Sequence, residues 1–401
     1  MTARLTPTSS LRSELPNGFY LGNVVPGAGH LLGGSLADKD GGSKPTVRPT
    51  GDDIFVSAAL LRQAKKDGTL GDLISGLTTD AKDIPALPVT DEVRNEAETL
   101  EHLTAKQFNS LTPENQGKWQ EIAPARNQFH FSEMDGLLDF AKENGQRVRG
   151  HCLLWHNQNP QWLRDMFEEG AATDEELRAV LVQHINHVVG RYKGHIAQWD
   201  VANEIFNEDG SVRVGNPWID RFGLEIIAEA LRLAHQADPN CQLYLNDYNV
   251  ESINAKSDAY YELSKELLAA GVPLHGFGIQ GHLALQYGYP NDMRENMARF
   301  TALGLGVEIT ELDIRIFVDE NDEARIPEDL DTQAEWYARV ISDALAVPGV
   351  TGVTIWGVAD SYSWIPSLFK GEGAALLFDD NLAPKQAYAA VSGALGAPAG
   401  G

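Results

Sequence analysis

The residues best suited to chemistry are two glutamates, Glu204 and Glu311, each beside a short apolar run. Paired carboxyl groups in one cleft are typical of glycoside hydrolysis: one donates a proton to the leaving oxygen, and the other, ionised, attacks the anomeric carbon. Asn203 can hydrogen-bond a sugar 2-hydroxyl. His282 can bond Glu311 and keep it ionised, and Asp313 can orient His282. The alternative is that both glutamates lie on a rim, in surface salt bridges.

Strand-like runs alternate with helical patterns along the chain and must position these residues. The eight predicted strands are Phe19–Val25, Phe108–Pro113, Arg147–Trp155, Ile196–Val201, Gln242–Asn246, Gly276–Gln280, Gly306–Ile309 and Gly352–Trp356. Amphipathic helices are predicted over Glu175–Arg191, Trp218–Gln236 and Asp331–Ala346. This alternation predicts an α/β fold, a closed (β/α)₈ TIM barrel with a long insertion after strand 1. An open doubly wound sheet is the rival, weakened because no G-x-G-x-x-G turn follows the first strand.

Polar and aromatic residues accumulate at the carboxyl ends of seven of these strands. From strand 2 to strand 8 they are Glu114, Asn115, Lys118, His151, Trp155, Gln158, Asn203, Glu204, Asn246, Tyr248, Gln280, His282, Glu311, Asp313, Trp356 and Trp364. Catalytic residues of a barrel come from the carboxyl ends of its strands. Carboxylates and amides bind sugar hydroxyls, and tryptophan rings stack on the apolar face of a pyranose. The shared enrichment therefore favours a sugar-binding cleft over surface salt bridges.

An insertion separates the first two strands, whose starts are 89 residues apart, whereas later starts follow at intervals of 30 to 49 residues. We assign residues 1–401 to a single catalytic barrel, with an inserted segment at 26–91 and a flexible tail at 396–401. Within the insertion, Asp53–Lys66 has a helical pattern. Because it follows strand 1, we expect it to emerge at the catalytic face beside strand 2 and to extend or partly close the cleft there. A stabilising or oligomer-forming role is the alternative, and the oligomeric state is not predicted.

The charge balance excludes several partners. The chain has 32 Lys+Arg against 57 Asp+Glu, a formal net charge of −25, so we predict neither a nucleic-acid nor a membrane partner. It contains no run of 18 apolar residues. Residues 1–17 form a polar leader; we expect secretion after removal of a signal peptide, with a cytoplasmic location as the alternative. Cys152 and Cys241 are predicted to be buried thiols.

No metal site and no cofactor is predicted. His151 and His156 lie in the predicted cleft, where hydrogen bonding suffices. His184 and His187 share a helix, but the sequence suggests no third ligand for them. The acidic run at 319–323 lacks the spacing and the glycine of a calcium loop, and we interpret it as a solvated loop.

The motifs around the candidate residues resemble those of glycoside hydrolase family 10, the endo-β-1,4-xylanases. The main matches are Trp-Asp-Val-Ala-Asn-Glu at 199–204 and Glu-Ile-Thr-Glu-Leu-Asp at 308–313. Others are Thr-Pro-Glu-Asn at 112–115, Arg-Gly-His at 149–151, Trp-His at 155–156, Asn-Asp-Tyr-Asn at 246–249, Gln-Gly-His at 280–282, Trp-Gly-Val at 356–358 and Leu-Leu-Phe-Asp at 376–379. The resemblance covers roughly residues 108–391 and the first strand. Cys152, Ala202 and Gln116-Gly117 depart from the usual residues and bear on fine specificity.

The resemblance implies retaining, endo-acting hydrolysis of internal β-1,4-xylosidic bonds in xylan and xylo-oligosaccharides, with Glu204 as acid/base and Glu311 as nucleophile. It implies that the glycone subsites are lined by Glu114, Asn115, Lys118, His151, Trp155 and Gln158. It also implies that Trp356 and Trp364 surround the reacting sugar, and that Asn246 and Tyr248 face the leaving group. Two alternatives stay open: a non-catalytic carbohydrate-binding barrel, and a glycosidase for another β-linked glycan.

Overall fold

A closed barrel of parallel strands forms the centre of the molecule. The structure, a computed structural model, describes residues 10–25, 46–47, 87–88, 91–319 and 324–396. Within these residues, eight parallel strands pair in chain order, and the first also pairs with the last. They are β1 (Tyr20–Val25), β2 (Ser110–Pro113), β3 (Arg147–Leu154), β4 (Gln198–Asn203), β5 (Gln242–Asp247), β6 (Gly276–Ile279), β7 (Gly306–Phe317) and β8 (Val350–Ile355).

A longer helix follows each strand along the chain. These are α1 (Asp91–Gln107), α2 (Ser132–Glu143), α3 (Asp174–Arg191), α4 (Glu225–Ala237), α5 (Ala255–Ala269), α6 (Met293–Thr301), α7 (Glu328–Ala346) and α8 (Gln386–Gly396). A short helix, Leu11–Glu14, precedes β1. Other short helices lie in the connections at Trp119–Ile122, Gln161–Met166, Pro217–Phe222, Leu285–Tyr287, Asp360–Tyr362 and Ile365–Leu368. The predicted (β/α)₈ barrel is confirmed. None of the described helices is both long and apolar enough to cross a membrane.

Most predicted bounds are shifted by one to three residues, and two elements differ more than that. The seventh strand does not end near Ile309 but continues to Phe317, because it gains new partners beyond the barrel: His282–Ala284 on one side and Glu372–Gly373 on the other. The helix predicted over Trp218–Gln236 is two helices. Gly223, with φ of 69°, ends the first one, since a left-handed residue breaks the repeating helical backbone.

Packing in the barrel interior explains the glycine of the Arg-Gly-His motif, Gly150. Gly150 on β3 lies against the ring of Trp199 on β4, and a Cβ at position 150 would come within 2.3 Å of that ring. Only glycine therefore fits between the two strands here.

Cys152 and Cys241 are buried free thiols, as predicted.

Most of the insertion lies outside the described residues. Inside it, Thr46–Val47 pairs antiparallel with Leu87–Pro88. The helix expected at Asp53–Lys66 and the tail after Gly396 also lie outside the described residues, so their roles stay predictions.

Candidate active site

Glu204 stands at the carboxyl end of β4 with its side chain in the cleft. The strand ends at Asn203, and Glu204 adopts a left-handed backbone with φ of 58°. Such a conformation costs a residue with a side chain about 1 kcal/mol or more, so the surroundings must hold it. Its N–H donates to the Asn246 carbonyl at 2.9 Å. Its Oε1 accepts hydrogen bonds from Asn203 Nδ2 and from Gln280 Nε2, both at 3.2 Å, and His156 Nδ1 lies 3.7 Å from its Oε2.

Glu311 lies on β7 and receives donors on both carboxylate oxygens. Asn246 Nδ2 donates to its Oε1 at 2.8 Å, and His282 Nε2 donates to its Oε2 at 3.2 Å. His282 Nδ1 in turn donates to Asp313 at 2.9 Å. Burial alone would lower the pKa of His282, but Asp313 and Glu311 raise it to about 10. Burial acts to raise the pKa of Glu311, yet the His282 hydrogen bond, together with His151 and Asn246, lowers it below its ordinary value.

A chain of amides connects the two glutamates. Asn246 Nδ2 donates to Asn203 Oδ1 as well as to Glu311, each at 2.8 Å, and Asn203 donates to Glu204. The Thr310 hydroxyl donates to Asn246 Oδ1 at 2.6 Å and so fixes which way that amide faces. The two carboxyl groups therefore share one buried, directional hydrogen-bond network. Such an arrangement can protonate a leaving group and attack a carbon within the same cleft.

Residues that follow β2 and β3 form a second polar cluster. Asn115 Oδ1 accepts hydrogen bonds from Lys118 Nζ and from Gln158 Nε2, both at 3.0 Å. The Lys118 ammonium lies 4.8 Å from the centre of the Trp155 ring. Burial raises the pKa of Glu114, although Lys118 opposes this. The structure thus brings together the residues that the family resemblance implies for the glycone side.

His151 is held by a buried ion pair beneath the cleft. Its Nδ1 donates to Asp200 Oδ2 at 2.9 Å and lies 4.0 Å from Glu311. Arg149 binds the other oxygen of Asp200 at 2.7 Å and approaches Glu308 at 3.5 Å. Arg149, Asp200 and Glu308 are fully buried, so their mutual charges offset the cost of removing each from water. This support fixes the ring that stands beside Glu311.

Two tryptophans enclose the histidines. The Trp356 ring meets His151 edge-on at 5.5 Å and His282 edge-on at 6.2 Å. Trp364 Nε1 donates to Asp313 at 2.8 Å, and its ring centre lies 4.9 Å from that of His282. Because Asp313 accepts hydrogen bonds from both His282 and Trp364, it fixes the positions of both rings together.

Tyr248 follows β5 and is fixed by two cations. Arg213 Nη2 donates to its hydroxyl at 2.8 Å, and Lys256 Nζ lies 3.5 Å from the centre of its ring. Lys256 is fully buried and pairs with Asp247 at 2.9 Å. These two contacts therefore hold Tyr248 in a fixed position at the carboxyl end of β5.

Sequence reasoning did not assign roles to several residues of this network. Arg149 and Asp200 lie within the quoted motifs, and a charged residue inside an otherwise apolar strand was the available signal. Thr310 carried a similar signal, as an uncharged polar residue within a strand. Arg213 lies in the segment that follows Glu204, where no sequence pattern indicates that its side chain points inward.

The histidine pairs considered as metal ligands have other partners. His184 is buried and stacks on Trp119 with ring centres 3.7 Å apart, and burial lowers its pKa to about 3. His187 contacts the Gln183 carbonyl at 2.8 Å. Across the described residues, no group of three or more His, Cys, Asp or Glu is arranged to hold a metal. Of the acidic run at 319–323, residues 320–323 lie outside the described ranges.

Comparisons with known proteins agree with this geometry. The family model described as glycosyl hydrolase family 10 matches residues 81–394. A β-1,4-xylanase of Dictyoglomus thermophilum is 43% identical over 296 residues, which is 72% of this chain and 82% of the relative. An endo-1,4-β-xylanase of Agaricus bisporus is 38% identical over 78% of this chain and 88% of its own length.

Solved structures show the same relationship. Native xylanase 10B from Thermotoga maritima is 34% identical and superposes with a TM-score of 0.75, covering 96% of this chain and 98% of that protein. Xylanase 10B from Thermotoga petrophila, solved in complex with xylobiose, is 33% identical with a TM-score of 0.76, covering 97% of this chain and 98% of that protein. The barrel, the paired glutamates and these matches together make the chain a member of glycosyl hydrolase family 10.

Proposed function

We propose that this chain is an endo-1,4-β-xylanase that cleaves internal bonds of xylan with retention, with Glu311 as nucleophile and Glu204 as acid/base. In the first step a Glu311 oxygen forms a bond to the anomeric carbon. The bond to the leaving oxygen breaks, and that oxygen takes the proton of Glu204. In the second step Glu204 takes a proton from water, whose oxygen attacks the anomeric carbon and releases Glu311.

The observation that carries this assignment is the difference between the two carboxyl environments. Glu311 receives a cationic histidine and an amide, and its pKa is lowered, which suits a group that attacks as an anion. Glu204 accepts hydrogen bonds from the amides of Asn203 and Gln280. A carboxyl oxygen accepts such bonds in either protonation state, as an acid/base that gains and loses a proton requires.

The substrate proposal rests on the cleft and on the relatives. The polar cluster at Asn115 and the rings of Trp356 and Trp364 offer hydrogen bonds and stacking surfaces to a neutral sugar chain. The xylobiose complex of the Thermotoga petrophila enzyme supports xylo-oligosaccharides as ligands of such a cleft.

The test measures chemistry at both glutamates. Wild-type protein should release reducing sugar from xylan, and NMR should find the β-anomer as first product. Glu311→Ala should lose turnover on every substrate. Glu204→Ala should lose xylan hydrolysis by about 10²-fold or more but should still react with 2,4-dinitrophenyl β-xylobioside, because that leaving group needs no proton.

An exposed glutamate provides the matched control. Glu262→Ala, at a residue that pairs with Lys265 on the surface of α5, should leave both activities unchanged. A first product in the α-form would contradict the retaining assignment. Binding of xylan without release of reducing ends would point instead to a non-catalytic carbohydrate-binding barrel.

A further inference from the structure

Residues 205–213, which follow Glu204 directly, form a hairpin. Arg213 N–H donates to the Ile205 carbonyl at 2.8 Å, and Phe206 pairs antiparallel with Val212. Nearer the tip, Glu208 is tied to the buried Lys256 at 3.2 Å. The hairpin is therefore an ordered element that connects the end of β4 to the first turn of α5.

Within its second arm, Arg213 alone turns inward. Its neighbours Val212 and Val214 are exposed, Val214 to 82%, whereas Arg213 is half-buried. Its Nε donates to the Glu204 carbonyl at 3.0 Å, and its Nη2 donates to the Phe206 carbonyl at 3.2 Å and to the Tyr248 hydroxyl at 2.8 Å. These acceptor oxygens are all neutral, so the hydrogen bonds themselves fix geometry. Burial acts to lower the pKa of Arg213, but the Tyr248 hydrogen bond and the charges of Asp247 and Glu204 raise it.

The contact with Glu204 falls where the backbone needs support. Glu204 has a φ of 58°, which few residues with a side chain adopt unaided. The Asn246 carbonyl holds its N–H, and the Arg213 guanidinium holds its C=O. With both of its backbone polar groups fixed, the direction of the Cα–Cβ bond is fixed as well, and so is the approach of the carboxyl group to the cleft.

We propose that Arg213 is a positioning residue for proton donation by Glu204. It holds the left-handed backbone that directs the acid/base carboxyl into the cleft, and it ties this backbone to Tyr248 on the leaving-group side. The inference rests on the proposed function, since it concerns how well Glu204 protonates the departing oxygen. Proton transfer depends on positioning within hydrogen-bond reach, so a displaced carboxyl should slow only reactions that need the proton.

The test compares two leaving groups. Arg213→Met should lower kcat/KM on phenyl β-xylobioside, a poor leaving group, by about 10²-fold. On 2,4-dinitrophenyl β-xylobioside the same variant should lose less than about threefold, because that step needs no proton. Arg213→Lys retains the charge but has all of its N–H donors on a single nitrogen, and it should give an intermediate ratio. Arg221→Met, at an exposed arginine that pairs with Asp174 on the surface, should leave both values unchanged.

Each result has a distinct meaning. An equal fall on both substrates would overturn the proposal, since general loosening of the fold does not distinguish leaving groups. An unchanged ratio in both Arg213 variants would also overturn it. If Arg213→Met fails to fold, the Arg213→Lys ratio decides. Failure of the wild-type protein on both xylobiosides would instead contradict the proposed function.

Discussion

His282 is the charged centre of the site at the scale of single residues. It lies between Asp313 and Glu311 and has a pKa of about 10. The imidazolium is therefore retained throughout the neutral range, and it keeps Glu311 ionised for attack. Removing it should affect both the nucleophile and the stability of the fold.

The stability effect has a definite pH dependence. The folded pKa of about 10 lies above the ordinary value of 6.5. A raised folded pKa means that the stabilisation is complete below about pH 6.5 and is lost as the pH rises toward 10. The Tm difference between wild type and His282→Asn should therefore be largest near pH 6 and should shrink by pH 10. Calorimetry at several pH values measures it, and a difference that stays constant would contradict the expected role of the charge.

Trp364 is expected to discriminate xylose from glucose. Its indole N–H is fixed by Asp313, so the ring cannot easily withdraw from a hydroxymethyl group at C5 of a glucose unit. Trp364→Ala should raise the ratio of cellobioside to xylobioside turnover by about tenfold or more, since it removes a clash. Leu368→Ala, at a residue 62% exposed in the same loop, is the control and should not move the ratio. An unchanged ratio in Trp364→Ala would contradict this role.

At the scale of elements, the extension of β7 organises the loop after β8. Arg315 lies two residues beyond Asp313 along β7 and therefore points to the same face. Its Nε donates to Glu372 at 2.8 Å, and its guanidinium covers the Phe369 ring at 4.1 Å. Phe369 in turn meets Trp364 edge-on at 5.7 Å. The strand that carries Glu311, the proposed nucleophile, thus also holds the loop that carries Trp364.

Removing the hydrogen bond between Arg315 and Glu372 should weaken sugar binding more than it slows the bond-breaking step. Glu372 also accepts a hydrogen bond from Gln286 at 3.1 Å, so Glu372→Ala removes two contacts to the loop at once. KM for xylo-oligosaccharides should rise several-fold while kcat changes little, and hydrogen exchange should increase over residues 360–372. The surface variant Glu262→Ala should show neither change. A lowered kcat with an unchanged KM would show that the loop acts on the reacting bond instead.

Sequence patterns predicted the elements better than their ends. The eight strands and the fold family are confirmed, because alternating apolar runs and the two glutamate motifs are local features. The extension of β7 depends on partners at 282–284 and 372–373, which no local pattern reveals. The left-handed backbone of Glu204 depends on Asn246 and Arg213, so it too could not be read from its neighbours. Gly223, a glycine within the helical pattern of Trp218–Gln236, was the sequence signal for the break between the two helices.

At the scale of the whole molecule, the acidic surface predicts a response to salt. A net charge of −25 opposes a compact fold by self-repulsion, and salt at 0.1 M screens charges beyond about 10 Å. The Tm at neutral pH should hold or rise as sodium chloride is added. Near pH 4, where many carboxylates are protonated, the rise should shrink, which provides an internal control. A Tm that falls steadily with salt at neutral pH would contradict this expectation.

The pairing of β1 with β8 has a consequence for how the chain acquires its structure during synthesis. Tyr20 lies opposite Gly352, so one edge of β1 stays uncovered during synthesis until β8, the eighth strand of the barrel, has been made. Closing so long a loop is entropically costly and slow. Nascent intermediates therefore carry an unpaired strand edge, the feature that invites association between chains. Translation speed and chaperone access while β7 and β8 are synthesised should accordingly govern the yield of folded protein more than they do while β1 is synthesised.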